Sequence, residues 1–98
     1  SGQNIYPEEI EDIINQIPHI TESLIVGRNH AREAHVVADY DAMNAAGIEG
    51  DAVQKYIDEN VLALNAKLPP YSQIGRCELR KEPFEKTPKL SIKRFMYN

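Results

Sequence analysis

Lys86, Lys89, Lys93 and Arg94 lie close together in the stretch Glu82-Pro83-Phe84-Glu85-Lys86-Thr87-Pro88-Lys89-Leu90-Ser91-Ile92-Lys93-Arg94. Two prolines stiffen this stretch, and stiffening lowers the entropy lost when a loop docks. Ammonium groups on such a loop can reach a carboxylate or a phosphate and offset negative charge developing there. Charge alone also allows a plain solvated tail. The chain carries −4 overall, unevenly spread: residues 1–79 hold five Lys or Arg against thirteen Asp or Glu, and residues 80–98 hold six against two. A basic end on an acidic body attracts phosphates, an anionic surface or an acidic partner.

Other residue types that do chemistry are poorly placed for it. His19, His30 and His35 show no spacing that suits a metal, so packed or solvated rings are expected and no metal site is assigned. Asp39 and Asp41 flank Tyr40 at a strand end, where aspartate commonly forms turns. Cys77 is the single cysteine, which excludes an internal disulfide and fits a small buried side chain in a reducing compartment. No glycine-rich phosphate loop and no nucleophile elbow is present. No apolar run approaches the roughly 18 residues of a membrane helix, and no signal peptide is visible, so a cytoplasmic location is expected.

The elements that must position the basic loop follow from the apolar pattern. Ninety-eight residues make one domain with a single core. Residues 2–6 read as a short strand. Pro7 opens a helix, with Glu8, Glu9 and Glu11 near the positive end of its dipole, and Ile10, Ile13, Ile14 and Ile17 on one face until Pro18 ends it. Ser23–Val26, stopped by Gly27, and Ala34–Tyr40 read as an antiparallel pair across a polar turn at 28–32. Residues 39–50 look like loop. Asp51 is the expected N-cap of a helix whose stripe is Val53, Tyr56, Ile57, Val61, Leu64 and Leu68, with Pro69-Pro70 as its end. Ile74–Leu79 is the expected third strand of the sheet. The order β-α-β-β-α-β predicts an α+β fold, a small three-stranded sheet with helices packed on it and an extended C-terminal loop.

Four stretches also carry a family resemblance. Gly2-Gln3-Asn4-Ile5-Tyr6-Pro7-Glu8-Glu9-Ile10-Glu11 resembles the junction that opens the small C-terminal domain of adenylate-forming enzymes, the acyl-CoA synthetase and luciferase superfamily. Ile20-Thr21-Glu22-Ser23-Leu24-Ile25-Val26-Gly27 is similar to the strand that follows in that family. Leu68-Pro69-Pro70-Tyr71-Ser72-Gln73-Ile74 is similar to its Leu-Pro-x-Tyr-x-x-Ile joint. The loop Phe84-Glu85-Lys86-Thr87-Pro88 through Ile92-Lys93-Arg94 resembles the closing lysine motif and is most like the long-chain fatty acyl-CoA synthetase branch. The four fall in order along nearly the whole chain.

The resemblance implies that residues 1–98 are the C-terminal lid of an AMP-forming acyl-CoA ligase, inert alone, whose partner is a large N-terminal nucleotide- and acyl-binding domain. ATP and CoA are then the co-substrates of the full enzyme, with Mg2+ accompanying ATP, and Gly2 and Gln3 border the CoA path. One departure stands out. The family's lysine position, immediately before the Ile of the closing motif, is Ser91 here, and serine supplies no cation. Either Lys89 or Lys93 supplies the cation from two residues away, or the protein adenylates poorly. Lys89, on the same side of an extended chain, is a reasonable substitute, Lys93 matches a common non-catalytic basic position, and Arg94 is the closing arginine that meets the nucleotide. Two other readings remain open: an adenylation domain serving a carrier protein, and a non-enzymatic module whose basic tail binds nucleic acid or an anionic membrane. Residues 1–79 show no basic face, so no nucleic-acid partner is expected.

Overall fold

The computed structural model describes residues 5–28 and 31–97. Three helices lie on one face of a three-stranded mixed sheet, and the C-terminal segment crosses the other face. In chain order the elements are α1 (Pro7–Ile14), β1 (Ile20–Arg28), β2 (Ala31–Ala38), α2 (Tyr40–Ala45), α3 (Asp51–Leu62) and β3 (Ile74–Arg80). Short 3₁₀ turns occupy Ala63–Lys67, Pro70–Ser72 and Arg94–Met96. β2 is central; it pairs antiparallel with β1 from Ile20↔Ala38 to Arg28↔Ala31, and parallel with β3 from Arg32↔Ile74 to Val37↔Arg80.

The α+β architecture expected from the residue pattern is the one observed, with local differences. The strand expected over 2–6 falls mainly outside the described residues, and Ile5 and Tyr6 carry no strand. α1 opens as expected: Pro7 sits in its first turn and Glu9 reaches back to accept the Tyr6 N–H at 2.8 Å. It ends at Ile14, three residues early, because residues before a proline are pushed out of the helical region. Ile17 then lies in a turn, and His19 takes a left-handed φ of 74° that swings the chain into β1. β1 runs through Gly27 to Arg28, since pairing with Arg32 continues the ladder past the glycine.

Residues 39–50 are not all loop. Asp39 accepts the Ala42 N–H at 3.0 Å and caps α2, which tucks a fully buried Met43 into the core. Six residues are too few to show a helical period. Gly47, with φ of 86°, turns the chain out of this helix. Gly50 rather than Asp51 occupies the cap of α3, leaving Asp51 as the first helical residue, where its charge still meets the dipole. After Leu62 the helix tightens to 3₁₀. There Asn65 donates to the Ile74 carbonyl at 2.8 Å and accepts the Ile74 N–H at 2.7 Å, docking the turn on the start of β3 as a strand neighbour would.

The main core lies between the helices and the sheet. Ile10 and Ile14 of α1, Met43 of α2, and Val53, Ile57 and Val61 of α3 meet Ile25, Ala34, Val36, Ile74 and Cys77. Strand alternation sends Leu24, Val26 and Val37 to the opposite face, where Phe84 from the C-terminal segment covers them, with Ile92 and Tyr97 beside it. No helix among the described residues is long and apolar enough to cross a membrane.

Candidate functional site

The basic stretch is a bolted loop. Beyond β3, Phe84 is 3% exposed and plugs the outer face of the sheet. Tyr97 meets it edge-on, with ring centroids 5.0 Å apart, and the Arg80 guanidinium lies 4.4 Å from the Phe84 ring centroid. Lys86 then pairs across to Ile92 in an antiparallel bridge, and the Lys93 N–H donates to the Glu85 carbonyl at 2.9 Å. Between these legs the chain reverses. The Leu90 N–H donates to the Thr87 carbonyl and the Thr87 N–H to the Ser91 carbonyl, both at 2.8 Å. Pro88 and Lys89 are the central turn residues, with proline in the position its fixed φ favours. Leu90 follows at a φ of 66°, in the left-handed position that short hairpins normally give to glycine.

This geometry separates the candidate residues. Lys89 stands exposed at the tip of the turn. Because residues 87–90 form a turn, side alternation along an extended chain does not relate Lys89 to Ser91. Ser91 is exposed on the returning leg, where with Leu90 and Arg94 it borders a cleft of about 500 Å³ against Glu11, Asn15 and Ser23. Lys93 is half-buried at the base. Among the described residues, neither Lys89 nor Lys93 has a carboxylate within ion-pair distance. Arg94 differs: its Nη2 donates to Glu11 Oε1, and its Nε lies 3.7 Å from Glu8 Oε2. Gly2 and Gln3 lie outside the described residues.

Two carboxylates that sequence reasoning did not single out hold the loop in place. Glu11, 6% exposed on the inner side of α1, accepts the Ile25 N–H of the edge strand β1 at 2.7 Å while pairing with Arg94. Burial raises its carboxyl above the ordinary 4.5, against the pull of the Arg94 hydrogen bond. Glu22 on β1 meets Lys86 Nζ at 2.7 Å. The signals were there. Glu11 falls beside Ile10 and Ile14 on the buried face of its helix, and Glu22 shares the β1 face of Leu24 and Val26.

At the other end of the same sheet face, His35 sits between two carboxylates, with Nε2 3.1 Å from Glu33 and Nδ1 3.4 Å from Glu78. Arg76 joins both acids. Hydrogen bonds from His35, then from Arg76, hold the Glu33 carboxyl below the ordinary range. Cys77 is buried, and that burial, with the Asp58 charge adding, pushes its thiol up to about 12, so it is no nucleophile near neutrality. Among the described residues no three His, Cys, Asp or Glu side chains gather as a metal site.

The described residues form an α+β sandwich that carries a clamped cationic turn over the outer face of its sheet. The chain belongs to the AMP-binding enzyme C-terminal domain family, whose model matches residues 1–97. No curated protein matches it. Among solved structures it is similar to a Mycobacterium tuberculosis fatty acyl CoA synthetase, at 21% identity over 97% of this chain and 17% of that one, with a TM-score of 0.64. The adenylation domain of a Mycobacterium chelonae carboxylate reductase aligns over 94% of this chain and 16% of that one, at 18% identity and a TM-score of 0.74. Apo MatB from Rhodopseudomonas palustris aligns over 97% and 18%, at 23% identity and a TM-score of 0.66. At these identities the likeness is one of fold, and the chain spans under a fifth of each structure.

Proposed function

We propose that this domain is the swinging lid of an AMP-forming acid–thiol ligase, and that its partner is a large N-terminal domain carrying the nucleotide and acyl sites. In the first half-reaction a substrate carboxylate oxygen attacks the α-phosphorus of ATP, forming the acyl-adenylate and expelling pyrophosphate. In the second, the CoA sulfur attacks the acyl carbonyl carbon, the carbon–oxygen bond to AMP breaks, and the thiol proton leaves with solvent. The lid serves the first step by bringing a lysine to the place where carboxylate and phosphate repel one another. In a partly dried site that cation is worth far more than in water. Rotation of the lid between the two steps is a gating motion of a known kind.

The observation that carries this reading is the turn at Thr87–Leu90, which holds Lys89 out from a family-typical sandwich with no counter-charge among the described residues. Lys93 at the base of the same loop is the second candidate. Arg94 spends Nη2 on Glu11 and lies near Glu8 through Nε, so these acids compete with a nucleotide for its guanidinium. The donors the chain offers suit an anionic phosphate, and Mg2+ enters with ATP on residues of the partner domain. A long-chain fatty acid is the favoured acyl substrate, supported by the closing motif and by the likeness in fold to a fatty acyl CoA synthetase; a CoA acceptor is favoured over a carrier protein, and the cytoplasm is the expected location. The rival reading as a basic-tail module is disfavoured because Lys86 and Arg94 direct their charge inward to Glu22 and Glu11.

The test is acid-dependent pyrophosphate release and thioester formation by the ligase that carries this domain, assayed with ATP, CoA and a panel of acetate, octanoate, palmitate and benzoate. Palmitoyl-CoA formation is expected, with no pyrophosphate release from residues 1–98 alone. Release by this chain alone, or no acyl transfer by the whole enzyme, contradicts the reading.

A further inference from the structure

We infer that Glu22 and Lys86 form a positioning clamp that fixes the direction of the lysine turn, an inference resting on the function proposed above. Three contacts converge at the base of the loop. Lys86 Nζ meets Glu22 Oε1 at 2.7 Å and also donates to the carbonyl of Phe84 at 3.0 Å, while the Phe84 N–H points to the same Glu22 oxygen at 3.4 Å. One carboxylate of strand β1 thus holds both the side chain and the backbone of the incoming leg. The returning leg is tied to it by the Lys86↔Ile92 bridge and ends on Arg94, whose partner Glu11 also accepts the Ile25 N–H of β1. The incoming leg is thus held on β1 directly, and the returning leg is held on α1 through Glu11, which in turn is bound to β1.

Lys86 is thereby set apart from its neighbour three residues on. Its side chain is 27% exposed and its ammonium is already shared between a carboxylate and a carbonyl, whereas Lys89 is exposed at the tip. An ion pair at this depth adds little net stability, since desolvation offsets most of the attraction. What it does add is direction. A loop whose ends are fixed before docking loses less entropy when it meets a substrate, and small misplacement of a catalytic group costs rate steeply.

The experiment compares Lys86→Met, Lys86→Arg and Glu22→Gln in the full ligase, with Lys89→Ala and Lys93→Ala as references and palmitate as the acid. Lys86→Met keeps the apolar stem and Glu22→Gln keeps the shape, so both retain the packing around Phe84. The clamp predicts that each lowers kcat for ATP–pyrophosphate exchange by about 10-fold or more. KM for ATP and thioester formation from supplied palmitoyl-adenylate stay within about 2-fold of wild type, Lys86→Arg recovers most of the loss, and amide exchange quickens over residues 87–91 but not over α3. Normal exchange kinetics in Lys86→Met and Glu22→Gln beside a disabled Lys89→Ala or Lys93→Ala overturn the clamp alone. Equal losses in both half-reactions also overturn it. Normal adenylation in both lysine references overturns the reading on which the clamp rests.

Discussion

Arg94 with Glu11 and Arg76 with Glu33 are the same chemical pair set in two surroundings. Glu11 is buried between α1 and the edge of β1, and burial outweighs its arginine, leaving the carboxyl raised. Glu33 sits at the open end of the sheet, shared by His35 and Arg76, and its carboxyl is lowered. Desolvation opposes both carboxylates, but it wins only at Glu11. A contact kept at such a cost is poorly explained by stability and well explained by placement, for it joins the helix, the edge strand and the end of the lysine loop. The second network, whose Arg76 and Glu78 ends face solvent, holds two adjacent strands that already share a ladder of backbone bonds.

The largest effect expected from breaking this contrast is that of Arg94→Met. With its partner gone, the Glu11 carboxylate is left buried, and the chain loses about 2 kcal/mol at pH 7, below the usual range for buried pairs because Arg94 is partly exposed. Urea unfolding series should show that loss shrinking as pH falls from 7 toward 4.5, because the Glu11 carboxyl, raised above that value, takes up its proton on the way; a loss equal at both ends of that range contradicts burial as the cause. Next comes the strain that the two feet of the loop hold in place. Leu90→Gly relieves a left-handed φ at a side chain 79% exposed, and should raise stability by about 0.5–1 kcal/mol after the entropy a glycine adds to the unfolded chain. A fall in stability contradicts it.

Smaller still, and of opposite sign, are the pH slopes of Glu11→Gln and Glu33→Gln. A carboxyl raised by folding contributes stability below its unfolded value and loses it as pH rises through the folded one. A lowered carboxyl contributes above its unfolded value and loses it as pH falls through the folded one. From pH 3.5 to 7, Glu11→Gln should therefore gain on the wild type, and Glu33→Gln should fall behind it. Slopes of the same sign refute the comparison. Least of all, Arg76→Gln should move Tm by no more than about 2 °C, because Arg76 is itself more than half exposed and His35 still serves Glu33; a larger shift places this network among the structural supports.

The fold was legible wherever an apolar period was long enough to show. The stripe Val53, Ile57 and Val61 and the run Ile74–Leu79 gave α3 and β3 to within a residue at their starts. α2 was hidden because a single buried Met43 in six residues leaves no period. At the site, the lysines and the prolines could be read from the sequence, whereas the turn could not, because Leu90 occupies the position where a glycine would have marked it. Glu11 and Glu22 were missed for a different reason. Each belongs to an apolar face by position and looks like ordinary surface charge by type, and only the partner arriving from 83 residues downstream for Glu11, or from Lys86 for Glu22, explains its presence.

The central claim, that this domain brings a lysine to adenylation and to no later step, is tested most directly by one pair of rates in the full ligase. Lys89→Ala is predicted to lower acyl-adenylate formation by about 100-fold or more while leaving thioester formation from a supplied adenylate near the wild-type rate. If both rates fall together, or if neither falls in Lys89→Ala or in Lys93→Ala, the claim is contradicted.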